Sequence, residues 1–219
     1  MDPEFWLARW RTRQVGFDQS TPNPSLDRWW PTLGVAPGAR VYVPLCGKSI
    51  DMVWLAAHGH GVVGSELSSL AVDEFFGQLP GANVVVDAHG PFRRHRHGPF
   101  ELLQGDALAL TPALLGPVGA AYDRAALVAL PPAMREQYVT GLSALLPAGS
   151  RTLLISFEYA QALKAGPPFS VDPEEISRLC RPHFAVAELE RNDIIAESPK
   201  FAAAGLTSLL EVTYSLTRR

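Results

Sequence analysis

A six-residue turn, Pro44-Leu45-Cys46-Gly47-Lys48-Ser49, has the composition and the position of a ligand-binding loop. It ends an apolar run over residues 39–45 that predicts a buried strand, and a helical pattern begins at its last residue. Gly47 allows a ligand to approach the backbone closely, and the start of the helix presents free N–H groups. Glu66 follows the next predicted strand, at about the twenty-residue spacing of an acid that binds ribose hydroxyls. Together these features predict a site for an adenosine-type ligand.

Three ligands compete for this site, and the glycines that are missing separate them. A phosphate-binding P-loop ending in Gly47-Lys48-Ser49 would need glycine at position 42, where this chain has Tyr42. A dinucleotide site would need the pattern G-x-G-x-x-G, of which only Gly47 is present. S-adenosylmethionine carries no phosphate and does not need those glycines. The turn therefore favours S-adenosylmethionine as the cofactor.

Two further segments end at the same predicted edge of the sheet. Asp106 and Ala107 follow the apolar residues 100–104, so a carboxylate, or the backbone after it, is placed to reach an adenine ring. Arg124 follows the apolar residues 120–122 in the same way, at the mouth of the cleft. Its neighbour Asp123 offers a local ion pair as the alternative role for this arginine.

Short apolar runs alternate with helical patterns from residue 38 onward, which is typical of an α/β fold with a mainly parallel sheet covered by helices on both faces. The last two strands have no helix of similar strength between them, so we expect antiparallel pairing at that edge. We predict a single domain over residues 1–219, in which residues 1–35 form a helical N-terminal cap. The cap carries Trp6 and Trp10 one helical turn apart, a pattern that by itself is more typical of a core. The predicted strands are 39–45, 61–64, 83–86, 101–103, 120–122, 151–157, 185–189 and 206–216, and the later helices are 49–58, 68–79, 131–145 and 172–179.

The composition argues against several classes of function. A formal net charge of -3 gives no overall attraction for nucleic acid or an anionic membrane, and no apolar run reaches the length of a membrane span. Cys46 and Cys180 cannot form a disulfide framework, and the N-terminus lacks a signal-peptide pattern, so we expect a cytoplasmic protein. We expect a monomer, because no apolar stripe is left unexplained. The basic run at residues 93–97 lies between Gly-Pro pairs and predicts a solvated hairpin tip without metal-binding spacing.

Several motifs resemble those of the bacterial thiopurine S-methyltransferase family, and the likeness runs from about Phe5 to Leu216. The turn is the most specific of them, because most methyltransferases carry a different glycine-rich sequence at that place. The motifs are Trp10 with Gly16-Phe17, Val43–Ser49 with Asp51, Gly64 and Glu66 with Ser68, and Asp123-Arg124-Ala125-Ala126-Leu127-Val128-Ala129-Leu130.

The resemblance implies a Rossmann-like class I methyltransferase fold, with a mainly parallel seven-stranded sheet and an antiparallel edge strand. It implies that S-adenosylmethionine is the methyl donor. An acceptor that is already an acidic thiol needs little help from a general base, so we assign none. The residues implied to contact the cofactor are Trp10, Leu45, Gly47, Glu66, Asp106, Ala107 and Arg124. Phe17 and Arg124 are implied to line the acceptor side, and Trp10 and Phe17 are expected to close over the bound molecules.

One segment departs from the family pattern. Relatives carry an arginine near the C-terminus that helps to hold the purine, whereas this chain has no arginine between Asp193 and Leu206. Lys200 offers a point charge there, but it lacks the planar fork of a guanidinium. The acceptor therefore stays open between a thiopurine, another small thiol, and a selenium or tellurium oxyanion in detoxification. A non-catalytic nucleotide-binding domain is the alternative from another class.

Overall fold

A computed structural model of the chain describes residues 3–16 and 18–219, and Phe17 lies outside these described residues. Two helices and a 3₁₀ turn precede the first strand. Asn23 begins the second helix, because its side-chain oxygen accepts a hydrogen bond from the Ser25 N–H and the next residue is a proline. The helices are α1 Pro3–Arg11, α2 Pro24–Trp29, α3 Asp51–Ala57, α4 Ser69–Gly77, α5 Pro112–Leu115, α6 Pro132–Leu145, α7 Pro173–Cys180 and α8 Pro199–Ala202. Short 3₁₀ turns cover Trp30–Leu33, Ala107–Ala109, Leu127–Ala129, Gln161–Leu163 and Ile195–Glu197.

The strands form a nine-stranded sheet in the order β3-β4-β5-β2-β1-β6-β7-β9-β8. They are β1 Arg40–Val43, β2 Gly61–Glu66, β3 Val85–His89, β4 Phe92–His97, β5 Phe100–Gln104, β6 Ala120–Arg124, β7 Arg151–Glu158, β8 Phe184–Asp193 and β9 Leu210–Arg218. The central strands β5, β2, β1, β6 and β7 pair in parallel, and the two strands at each edge pair antiparallel. The mainly parallel sheet and the antiparallel final strands are as predicted.

The resemblance implied seven strands and the sequence pattern eight, whereas the sheet has nine, because the basic run was misplaced. Residues 93–97 are not a hairpin tip: they form most of β4, which pairs with both β3 and β5. Phe92 and His95 are buried, and Arg94 and Arg96 contact Asp87 across the hairpin. Backbone pairing on both sides therefore makes this charged segment a strand of the sheet.

Helices cover both faces of the sheet, as predicted. Successive strand residues point to opposite faces, so their side chains pack into two separate cores. Tyr42 of β1 points into one core, which includes apolar residues of α6 and α7. Val41 and Val43 point to the opposite face, into a core formed with α2, α3 and α4. Both cores therefore support β1, and with it the turn at its carboxyl end. Within residues 3–16 and 18–219, no helix combines the length and apolar character that crossing a bilayer would require.

Candidate functional site

A cavity opens at the carboxyl ends of β1, β2, β5 and β6, where the fold predicts a ligand. The structure brings together there five of the predicted cofactor residues: Trp10, Leu45, Glu66, Asp106 and Ala107. The other residues that line it are mostly apolar, and they are Pro3, Trp6, Leu67, Leu108, Ala125, Ala129, Leu130, Met134 and Tyr138. The site is therefore a largely apolar pocket with a few carboxylate and backbone groups.

Glu66 joins the turn to the end of β2. Its carboxylate accepts hydrogen bonds from the Gly47 N–H at 2.9 Å and from the Ser68 N–H at 2.7 Å. The side chain is buried, and desolvation raises the pKa of this carboxyl, while the backbone hydrogen bonds oppose that shift. Each carboxylate oxygen has a second lone pair, so both can also accept from a ligand hydroxyl.

The turn itself has an unusual backbone and is tightly packed. Leu45 has a φ of 46°, in the left-handed region that a side chain other than glycine rarely adopts. The Cys46 N–H donates to the Ser65 carbonyl at 2.9 Å, and a Cβ added to Gly64 would lie only 2.6 Å from the Cys46 Sγ. Burial raises the pKa of the Cys46 thiol well above its ordinary value, which disfavours the reactive thiolate, and its close approach to Gly64 is that of a packing group.

The first helix forms one wall of the cavity. Trp6 and Trp10 of α1 both line it, and Trp10 is also buried. The spacing of the two tryptophans predicted a shared face, but not which partner that face meets. The structure places both tryptophans at the cavity that Leu45 of the turn also lines.

Asp106 contributes in a different way from Glu66. Its side chain is exposed and accepts a hydrogen bond from the Leu108 N–H at 2.9 Å, which caps the 3₁₀ turn Ala107–Ala109. The preceding Gly105 N–H donates to the Glu66 carbonyl at 2.8 Å, so the ends of β5 and β2 are tied together. The cap fixes the backbone of Ala107 at the cavity wall.

Arg124 and Asp123 do not pair with each other. The Arg124 Nη1 lies 3.4 Å from the Oδ2 of Asp51, which is fully buried and also accepts from the Tyr122 hydroxyl at 2.9 Å and the Asn23 N–H at 2.8 Å. The motif contained Asp51, but sequence reasoning gave it no role. The sequence carries no signal for the pairing of Asp51 with Arg124, because the two residues are far apart in the chain and only the fold brings them into contact.

Asp123 points to the other face of the sheet. It accepts hydrogen bonds from the Tyr138 hydroxyl at 2.6 Å and from the Leu127 N–H at 3.1 Å. Burial raises the pKa of Asp123 to about 6, although these hydrogen bonds act in the opposite direction. They hold the loop after β6, where Ala125 has a left-handed φ of 62° beside the cavity.

A second, smaller pocket lies next to the first and is the candidate acceptor side. It shares Leu45 and Ala125 with the larger cavity, and it adds Arg124 and several polar residues. The added residues are Asp18, Val43, Cys46, Lys48, Ser49 and Tyr122. Of the predicted cofactor residues, Arg124 therefore lines the second pocket and not the larger cavity. Gly47 lines neither of the two, and its N–H is hydrogen-bonded to the Glu66 carboxylate of the larger cavity.

Lys200 lies near this side of the protein. A Cβ added to Gly16 would be 3.5 Å from the Lys200 Nζ, so α8 approaches the segment that precedes Phe17. The Lys164 Nζ lies 5.1 Å from the centre of the Phe201 ring, next to Lys200. Phe17 is outside the described residues, and its acceptor role stays a prediction. Among the described residues, no group of three or more His, Cys, Asp or Glu side chains is arranged to hold a metal ion.

Comparisons with known proteins agree with this architecture. Solved methyltransferase structures share the fold at low sequence identity, which establishes the fold class alone. A 1,6-didemethyltoxoflavin-N1-methyltransferase from Burkholderia thailandensis, with bound S-adenosylhomocysteine, matches with a TM-score of 0.62 at 18% identity over 98% of this chain and 87% of that one. A methyltransferase from Thiobacillus denitrificans in complex with S-adenosylhomocysteine matches with a TM-score of 0.63 at 15% identity over 100% and 99% of the two chains. The predicted class I methyltransferase fold is confirmed.

Sequence relatives are closer and cover the full length. Thiopurine S-methyltransferase of Pseudomonas entomophila is 49% identical over 218 residues, and that of Azotobacter vinelandii is 47% identical over 222 residues, with 100% of each chain covered in both cases. The family model described as thiopurine S-methyltransferase matches residues 1–219. Because the family model and these relatives both match over the full length, this chain belongs to the thiopurine S-methyltransferase family.

Proposed function

We propose that this protein transfers the methyl group of S-adenosylmethionine to the sulfur of a thiopurine or a similar small thiol. The observation that carries the proposal is the meeting of the family turn, the buried Glu66 carboxylate and the α1 tryptophans around one cavity. Family membership over residues 1–219 supports the same activity.

The chemistry of the residues fits an adenosyl sulfonium better than a nucleotide phosphate. Glu66 offers hydrogen-bond acceptors for ribose hydroxyls, and the remaining wall is mostly apolar. Lys48, the one cation of the turn, is bound to carboxylates and does not line the larger cavity. We propose that the cofactor is held by Trp10, Leu45, Gly47, Glu66, Asp106, Ala107 and Arg124. When bound, S-adenosylmethionine supplies an electrophilic methyl group on a positively charged sulfur.

The protein's own task is to align the reactants and keep water out. An attacking thiolate and a sulfonium neutralise each other in the transition state, so an apolar pocket favours the transfer. The walls formed by Trp6, Trp10 and Leu45 provide such a pocket, and alignment supplies much of the remaining rate gain. Asp123 and Tyr138 are hydrogen-bonded to each other, and an acidic thiol needs no general base. We propose that Phe17, Arg124 and Lys200 line the acceptor side.

A thermal-shift panel tests the cofactor. We expect S-adenosylmethionine and S-adenosylhomocysteine to raise the melting temperature, and NAD and ATP to leave it unchanged. Stabilisation by NAD or ATP, with no response to either adenosyl compound, would show instead a nucleotide-binding domain and refute the proposed function.

A methyl-transfer assay tests the acceptor. With labelled S-adenosylmethionine we compare thiopurines, aliphatic thiols, selenite and tellurite, and we expect the thiopurines to accept the label fastest. Lys200→Ala should raise the KM for a thiopurine more than Lys200→Arg does, because arginine keeps the charge at that place. Faster methylation of selenite or tellurite than of any thiol would contradict the thiol assignment.

We further propose that residues 1–219 form a single domain with residues 1–35 as its cap, and that it works as a cytoplasmic monomer. Light scattering coupled to size exclusion measures the oligomeric state, and cell fractionation measures the location. A stable dimer, or recovery outside the cytoplasmic fraction, would contradict this part of the proposal.

A further inference from the structure

Lys48 of the family turn points away from the cofactor cavity and toward the N-terminal part of the chain. Its Nζ lies 3.2 Å from the Oδ2 of Asp18 and 3.0 Å from the Oε2 of Glu74 on α4. All three side chains are largely shielded, with 19% to 24% of their surface exposed. These hydrogen bonds to Glu74 and Asp18 raise the pKa of Lys48, so the ammonium stays charged.

Glu74 also binds the strap, by which we mean residues 13–16 together with Asp18. The Arg13 Nη1 lies 2.8 Å from the Oε1 of Glu74. Arg13 has a left-handed φ of 58°, and its N–H donates to the Trp10 carbonyl at 3.2 Å, so it ends α1 and turns the strap toward α4. Two cations and two anions thus alternate across the strap, the turn and α4.

The strap joins two parts that both contact the cavity. On one side it follows α1, whose Trp6 and Trp10 form a cavity wall. On the other side Lys48 follows Gly47, whose N–H is bound to Glu66. The strap is therefore connected both to the cavity wall, through α1, and to the turn, through Lys48.

We propose that Lys48 is a positioning residue that fastens the strap across the cofactor site, with Glu74 as the bridging anion. Opening of this ionic contact limits the release of the adenosyl product, S-adenosylhomocysteine. The proposal rests on the proposed function, since it concerns the product of that reaction. It gives the lysine of the family turn a role other than ligand binding.

The test is the dissociation rate of S-adenosylhomocysteine, followed by stopped-flow tryptophan fluorescence, since Trp6 and Trp10 line the cavity. We expect Lys48→Met to release the product roughly two- to fivefold faster, the size of effect that partly exposed ion pairs produce. Lys48→Arg should restore most of the slow release. Asp87→Asn is the matched control, because it breaks an ion pair of similar exposure on the distant β3–β4 hairpin, and we expect no change in rate.

Two readouts separate this role from general destabilisation. Release from the native protein should accelerate when salt is raised from 50 mM to 500 mM, whereas release from Lys48→Met should be insensitive to salt. Asp18→Asn should also speed release, and the double variant Asp18→Asn with Lys48→Met should be no faster than Lys48→Met alone. If Lys48→Met does not fold, the dissociation rate of Asp18→Asn alone tests the proposal.

Some results would overturn the proposal while leaving the proposed function intact. One is that Lys48→Met or Asp18→Asn folds, binds S-adenosylhomocysteine and releases it at the native rate. The other is that the rate increases of the two single variants multiply in the double variant. Failure of the proposed function looks different, because the native protein would then show no thermal stabilisation by either adenosyl compound.

Discussion

Replacing Glu66 by glutamine should weaken both the protein and its cofactor binding, even though the two side chains have the same shape. The native carboxylate accepts from the Gly47 N–H with one oxygen and from the Ser68 N–H with the other. Glutamine has only one oxygen, and its amino group cannot accept a hydrogen bond. One of the two backbone N–H groups must therefore face another donor in a buried place.

The expected size follows from these contacts. A buried donor that loses its partner costs about 1 to 3 kcal/mol, so the free energy of unfolding should fall by about 2 kcal/mol without any ligand. Loss of the charged acceptor for a ribose hydroxyl costs about 1.5 to 3 kcal/mol more in binding, or roughly 10- to 150-fold in the Kd for S-adenosylhomocysteine.

Asp106→Asn is the matched control, because it makes the same carboxylate-to-amide change at the other acid of the cavity. Asp106 is exposed and accepts only from the Leu108 N–H, which an asparagine oxygen can still do. We expect its free energy of unfolding to change by less than about 0.5 kcal/mol. Urea unfolding and calorimetric titration measure the two quantities. Equal unfolding free energies for Glu66→Gln and Asp106→Asn would refute the reasoning.

Three other predictions address the remainder of the site. Burial raises the pKa of Asp123 from 3.8 to about 6, so between these pH values the folded protein holds a proton that the unfolded chain has lost. As the pH rises from 4 to 7, the free energy of unfolding should therefore fall by up to about 3 kcal/mol relative to that of Asp123→Asn, as measured by urea titrations. Gly64→Ala should lower the free energy of unfolding by about 1 to 3 kcal/mol and weaken S-adenosylhomocysteine binding, because the new methyl would lie 2.6 Å from both the Cys46 Sγ and the Leu102 Cδ2. Adding Cys46→Ala should recover part of the loss, and no recovery would show that the clash lies elsewhere. Deletion of residues 1–20 should abolish calorimetric binding of S-adenosylhomocysteine, and unchanged affinity would exclude the cap from the cofactor site.

The parts of the site that depend on chain order could be predicted from the sequence. The glycine turn after the first strand and the acid after the second lie at neighbouring strand ends in any sheet of this class, and the Glu66 carboxylate does contact Gly47. Asp106 and Ala107 were placed at the cavity for the same reason. Strand order and crossover direction therefore carry most of this information.

Contacts between distant segments could not be predicted in the same way. Arg124 is adjacent to Asp123 in the sequence, but side chains of successive strand residues point to opposite faces, and its partner Asp51 comes from another loop. Charge alone suggested that residues 93–97 are solvated, whereas pairing with β5 buries His95 in their middle. Lys48 pairs with Asp18 and Glu74, which likewise lie on segments that only the fold brings together.

The distribution of lysine gives the protein a practical property. The chain contains three lysines, Lys48, Lys164 and Lys200. Lys48 belongs to the turn and lines the second pocket, whereas Lys164 lies against Phe201 and Lys200 is the residue before it. Coupling of lysine side-chain amines to a resin or a dye would therefore attach the protein at only two places, the turn and the surroundings of Phe201.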